Sequence, residues 1–111
     1  MIEITIFTHL NEMLSVPVVL EKPDPITGSF VFFEKTGSGK SNKLLSSTLA
    51  FQSYGTSLYD AAQLNELVKA AVESLVALDE IGSVRLNSDY NFQDTIYKKH
   101  RYQAVFNISH Y

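Results

Sequence analysis

The chain has 111 residues, a formal net charge of −3 and a 45% hydrophobic content. That length fits one domain with a single modest core, and the apolar fraction fits a globular fold rather than a disordered one. Cysteine is absent, which excludes disulfides, thiolate catalysis and cysteine-based zinc sites, and the acidic balance argues against a dedicated nucleic-acid binder while leaving room for a local basic patch.

The N-terminal run Met1–Leu10 carries Glu3 and has no basic region ahead of its apolar residues, so it does not read as a signal peptide. No stretch approaches the roughly 18 apolar residues of a membrane span. Ile2, Ile4 and Ile6 alternate like a strand, whereas Ile2, Ile6, Leu10, Met13 and Leu14 fall at helical spacing; length and the Pro17 stop favour a short amphipathic helix. Residues 17–23, bounded by Pro17 and Pro23, predict a short edge strand. Asp24–Gly28 reads as a turn, and Phe30–Lys35 as an aromatic strand that pairs with the previous one in a hairpin.

Residues 36–43 (TGSGKSNK) read as a flexible loop. Leu44–Tyr54 predicts a third strand, with Leu45, Leu49 and Phe51 on one face beside Ser47 and Ser53. Leu58, Ala61, Leu64, Val68, Ala71, Leu75 and Leu78 then repeat at three- and four-residue steps, predicting a long helix opened by Ser57 and Asp60 in a partial capping box. After Gly82, Val84, Leu86, Tyr90 and Phe92 alternate with Arg85, Asn87, Asp89 and Asn91 as a fourth strand. Residues 94–100 form a polar connection. A last strand, Arg101–Tyr111, places Tyr102, Ala104, Phe106 and Ile108 on one face. The expected fold is α+β: a single domain over residues 1–111, order α-β-β-β-α-β-β, with an antiparallel sheet of about five strands and the long helix packed on one face.

Few constellations carry chemistry. Gly39-Lys40-Ser41 has the tail of a phosphate-binding P-loop, but the position five residues earlier is Glu34, and a strand rather than a helix follows. His9, His100 and His110 lack metal-ligand spacing and read as surface histidines. No G-x-S-x-G turn occurs. Asp89 and Asp94 read as a solvated strand end rather than a catalytic pair. No catalytic, cofactor-binding or metal-binding residue is therefore assigned. Lys98, Lys99, His100 and Arg101 form the densest charge, suited either to a phosphate or acidic partner or to a solvated loop. Phe30, Phe32, Phe33, Tyr54, Tyr90, Phe92, Tyr97, Tyr102 and Tyr111 are more aromatics than one core face needs, so some are expected at a protein interface.

Taken together, residues 16–23 (VPVVLEKP), residues 30–37 (FVFFEKTG), the helix from Ser57 to Leu78, residues 88–94 (SDYNFQD) and the terminal RYQAVFNISHY resemble the small tail-terminator, or tail-completion, proteins of long-tailed phages and prophages of Gram-positive bacteria. The resemblance covers nearly the whole chain in order. It implies a structural protein rather than an enzyme, with an α+β fold and no cofactor. Such a protein caps the head-proximal end of the tail tube as a ring, typically a hexamer, stops tube polymerisation and prepares the tail for joining to the head. Implied partners are further copies of the chain, the major tail tube protein and the head–tail connector, with non-specific DNA in the lumen and no membrane. The implied location is the host cytoplasm during assembly and then the virion. Lys40, Lys43, Lys98, Lys99, Arg101 and Tyr111 are the candidate interface or lumen residues. A head–tail adaptor or stopper of the neck is the neighbouring reading; a small NTPase using Gly39-Lys40-Ser41 and a peptide-binding module are distant ones.

Overall fold

A computed structural model describes residues 1–111. Its elements run α1 (Ile2–Met13), β1 (Val18–Val19), β2 (Phe30–Ser41), β3 (Leu44–Gly55), α2 (Leu58–Glu73), a 3-10 turn (Ser74–Ala77), β4 (Ile81–Asn91) and β5 (His100–His110). The fold is α+β, and the five strands form one sheet ordered β1-β2-β3-β5-β4.

Both helices lie on one face. In α1 the buried residues are Ile2, Ile6 and Leu10, so the four-residue spacing decides the structure, and Ile4, which suggested a strand, is half exposed. In α2 the Ser57 hydroxyl accepts from the Asp60 amide at 3.1 Å. Asp60 takes its own hydrogen bond from the Thr56 hydroxyl at 2.8 Å, so only one half of a capping box forms. Beneath the helices Phe33 stacks on Phe51 with centroids 5.3 Å apart, and Phe51 meets Phe106 edge-on at 5.8 Å. These rings join Leu10, Leu49, Val68, Val72, Leu75 and Ile108 in one continuous core. Each such side chain contributes about 1.5–3 kcal/mol by leaving water. The α-helix ends at Glu73, and the tighter 3-10 turn completes the run that was expected to reach Leu78 as one helix.

Three expectations need correction. First, β1 and β2 are not a hairpin: they pair in parallel, Val18 with Val31 and Val19 with Phe32. Parallel neighbours need a crossover connection, and residues 20–29 supply it by passing over the face opposite the helices, where Ile26 packs with Phe30, Phe32 and Tyr54. The sheet is therefore mixed, with one parallel pair. Second, residues 36–43 are not a loop. The β2–β3 ladder continues to Ser41 opposite Leu44, closed by Asn42 and Lys43 at φ 50° and 68°. Two successive positive φ values are those of a type I′ turn, whose twist matches the flanking strands.

Third, the register of β4 shifts between Leu86 and Ser88. Val84 and Leu86 stand opposite Ile108 and Phe106, while Asp89 stands opposite Ala104 and Tyr90 opposite Gln103. The extra residue reverses the alternation, so Tyr90 faces away from the helices and does not share a face with Val84 and Leu86. Asp89 turns toward α2 instead, where Lys69 Nζ lies 3.3 Å away and Asn65 donates to it at 3.3 Å. The last strand, β5, is not at a sheet margin. It is interior, paired along its length with β3 on one side and β4 on the other. The open margins are β4 on one side and, on the other, β2 from Phe33 to Ser41, since β1 covers only Val31 and Phe32.

Candidate functional site

The β3–β5 ladder runs from Leu45 opposite His110 to Gly55 opposite His100, roughly 33 Å at strand rise. It divides the six candidate residues into two groups at opposite ends. Lys40, Lys43 and Tyr111 belong to the hairpin end, where the Tyr111 amide donates to the Glu80 carbonyl at 2.9 Å. Lys98, Lys99 and Arg101 belong to the other end, beyond or at the start of β5. The structure does not join them into one basic surface.

Arg101 also leaves the exposed cluster. It is 8% exposed and held through Nε, Nη1 and the guanidinium face. Its Nε donates to the Phe92 carbonyl at 2.7 Å, and its Nη1 donates to the Tyr54 hydroxyl at 3.0 Å and to Gln52 Oε1 at 3.4 Å. Asp94 Oδ2 lies 3.5 Å from the same nitrogen, and the guanidinium stacks over the Phe92 ring at 4.2 Å. With Nε and Nη1 committed inside the fold, the side chain is chiefly a structural one and does not belong with the exposed lysines.

Asp94 is likewise not part of a solvated strand end. It is 4% exposed and accepts from the Tyr54 hydroxyl at 3.0 Å and from the amides of Ile96 and Tyr97 at 3.2 and 3.1 Å. The network continues outward: Gln52 donates to Gln103, and Gln103 donates to the Tyr90 hydroxyl. The burial of Tyr54 pushes its phenol above the usual range, against the opposing hydrogen bond and charge of Arg101. Burial also works against the Asp94 carboxylate, but the Tyr97 amide, the Tyr54 hydroxyl, the Arg101 charge and the Ile96 amide together outweigh it and hold the group below the ordinary carboxylate range. Both directions favour the same state: a neutral tyrosine beside an ionised aspartate.

This network has a mechanical consequence. Asp94 and Lys99 exchange backbone hydrogen bonds at 2.9 and 3.0 Å, closing a tight loop whose Lys98 adopts φ 56°. The Asp94 side chain fixes the first turn of that loop from below. Ile96 is thereby held 84% exposed, beside a half-exposed Tyr97. Next to it a cavity of about 290 Å³ is lined by Gly28, Gly55, Thr56, Lys98, Lys99 and His100. At the other end a cavity of about 530 Å³ includes Glu3, Lys35, Leu45, Glu80, His110 and Tyr111.

Of the histidines, His110 is buried and hydrogen-bonded to Ser47 at 2.9 Å, and His9 meets Ser74 at 2.7 Å, so neither is the free surface residue expected. No group of three His, Asp or Glu side chains is arranged to hold a metal ion. No helix is long and apolar enough to cross a membrane. The sequence reasoning missed Tyr54, Asp94 and Arg101 as a unit, and Thr56 as a neighbour of the basic loop. Only the packed sheet brings these residues together, since positions 54, 94 and 101 share no local motif. No family model matches the chain, and no curated protein sequence is similar to it.

Proposed function

We propose that the chain is a structural phage protein that assembles as a ring on the head-proximal end of the tail tube, ends tube polymerisation and prepares the tail for joining to the head. The observation that carries this reading beyond the sequence resemblance is the pair of unlike open edges on opposite sides of one sheet: β4 at one margin and the outer part of β2 at the other. An exposed edge offers a row of unpaired backbone donors and acceptors to another chain. When the edges differ and lie on opposite sides, a contact between them is head-to-tail, and a head-to-tail contact that closes on itself makes a ring. The β4 side adds apolar area, with Leu86, Tyr90 and Phe92 each about two-fifths exposed.

In this reading the partners are further copies of the chain, the tail tube protein on one ring face and the head–tail connector on the other. The two ends of the sheet, one carrying Lys40, Lys43 and Tyr111 and the other Lys98 and Lys99, are the surfaces that face them or the lumen. The deciding experiment is electron microscopy of particles assembled with the coding sequence of this chain inactivated. Overlong tubes, or finished tails that do not join heads, are expected. DNA-filled heads that leak beside tails of normal length point to the neck instead, and normal particles overturn the reading.

A further inference from the structure

The cavity at the loop end of the sheet has a chemistry of its own. Its six lining residues, Gly28, Gly55, Thr56, Lys98, Lys99 and His100, include no apolar side chain and no carboxylate. Neither Lys98 nor Lys99 takes part in any of the ion pairs of the chain. The strand ladder sets Gly55 opposite His100. Gly55 also lies so close to the first turn of α2 that a Cβ there would meet the Ala61 amide nitrogen at 2.4 Å. That approach brings the end of β3, the start of α2 and the basic loop to one place. Thr56 immediately precedes the helix cap Ser57, so the positive end of a 16-residue helix borders the same cavity. Asp60, in the first turn of α2, accepts the Thr56 hydroxyl and does not itself line the cavity. Arg101 and Asp94, one step beneath, neutralise each other and add no net charge.

We infer that this cavity is a binding site for a phosphate group, with Lys98 and Lys99 as its cationic arms and His100 and Thr56 as polar walls. The Asp94–Lys99 bridge fixes the loop backbone from which both lysines project, which reduces the part of the ordering cost of binding that falls on the main chain. The shared chemistry has two sources, a free phosphate-bearing small molecule and the phosphodiester backbone of a nucleic acid. The site does not depend on ring formation, and the isolated chain is sufficient to test it.

The test uses two probes, inorganic phosphate and a short DNA duplex, titrated into the isotope-labelled chain at low salt and followed by amide NMR. The expected result is movement of the Gly55, Thr56, Lys99 and His100 signals. Replacing Lys98 and Lys99 with Gln should weaken the response by about ten-fold or more, with thermal melting confirming the fold, while the same removal of two charges at Lys40 and Lys43 should change it by less than about two-fold. Lys99→Gln alone serves where the double variant melts early. A response to phosphate itself assigns a small-anion site. A response to DNA alone, with the same lysine dependence and a salt slope reduced by about one per lysine, assigns the phosphodiester source. No movement at these residues with either probe, or equal losses in the two double variants, overturns the site.

Discussion

Replacing Asp94 with Ala tests whether the network beneath the basic loop holds the fold. The carboxylate is buried, with its side chain 5% exposed against 10% for Arg101, so solvent screening does little to dilute the pair. Removal takes away the Arg101 contact at 3.5 Å and three hydrogen bonds, from Tyr54 and from the Ile96 and Tyr97 amides. Removing one partner of a buried pair typically costs about 3–5 kcal/mol. The lower end applies here, because Arg101 keeps the Phe92 carbonyl and Gln52 and the two loop amides lie where water reaches them. Urea unfolding followed by circular dichroism measures the effect. With a slope of about 1.5 kcal/mol per molar, a loss of about 3 kcal/mol lowers the midpoint by about 2 M. In the double variant with Arg101→Leu the losses should be less than additive by about 1–3 kcal/mol, because the first change already orphans the second group. The pH dependence follows from the lowered Asp94 pKa. Between its folded value and the unfolded value of about 3.9, the unfolded chain binds the extra proton, so stability rises with pH. The contribution is complete above that window and disappears as pH falls through the folded value. The Ala variant should therefore have a flatter acid limb. A midpoint shift under about 0.5 M, or strictly additive losses, would refute the assignment of Asp94 and Arg101 as a coupled pair.

Two further outcomes follow from the geometry. Gly55→Ala places a Cβ 2.4 Å from the Ala61 amide nitrogen and 2.9 Å from its Cα; backbone on both sides cannot yield easily, so a loss of about 2–3 kcal/mol is expected, read as a fall in Tm beside Gly37→Ala, whose Cβ has only Thr48 atoms at 3.8 Å and should melt close to the parent. Tyr54→Phe removes the hydroxyl that joins Asp94 to Arg101 and should cost about 1–3 kcal/mol near neutral pH; because burial raises the Tyr54 pKa, its stabilisation is complete below about 10 and is lost as pH rises through the folded value, so melting curves across the alkaline range should fall less steeply in the Phe variant, and coincident limbs contradict a buried neutral phenol.

The parts of the fold written in periodicity were legible. Helical spacing identified α1 and α2, and alternation identified β3 and β5, because in each the apolar side chains that fix the element are the same ones that enter the core. Residues 36–41 carried no such signal. Their glycines, serines and threonine are all exposed in the sheet, and they are strand because the partner segment from Leu44 is strand and because Asn42 and Lys43 accept positive φ without a glycine to announce the turn. The bulge in β4 was hidden for a related reason: the sequence alternates through Asn87, and only the ladder with β5 shows which residue is extra. The candidate residues suffered most from reading charge without burial. Lys98, Lys99 and Arg101 look alike as a run of cations, yet the first two lie before β5 and the third points under the sheet, into a pocket made by Tyr54, Phe92 and Asp94. A buried arginine needs a carboxylate and carbonyls around it, and that requirement could have linked Arg101 to Asp94 across the loop; which aromatic rings would flank it could not have been read before the strands were ordered.

The distribution of polar contacts along the sheet separates its two ends by kind. At the loop end, polar groups are internal and charged, and they fix a short loop from beneath. At the hairpin end most are cross-strand and neutral: Thr48 donates to Asn107 at 3.0 Å, Thr36 donates to the Thr48 carbonyl at 3.3 Å, and Ser83 meets Ser109, beside one half-exposed ion pair of Lys35 with Glu3. Those links tie strands together without adding apolar cover, and beyond them the hairpin residues 36–41 are exposed. An uncovered strand pair carrying hydroxyls and lysines avoids unselective edge pairing, whereas the opposite margin at β4 presents Leu86, Tyr90 and Phe92 and relies on its bulges to keep the edge irregular. Two margins with such different chemistry are poorly suited to pairing each with its own kind. In the proposed ring the polar β2 edge of one copy receives the more apolar β4 edge of the next, a head-to-tail contact of the kind a closed ring, unlike a two-fold dimer, requires.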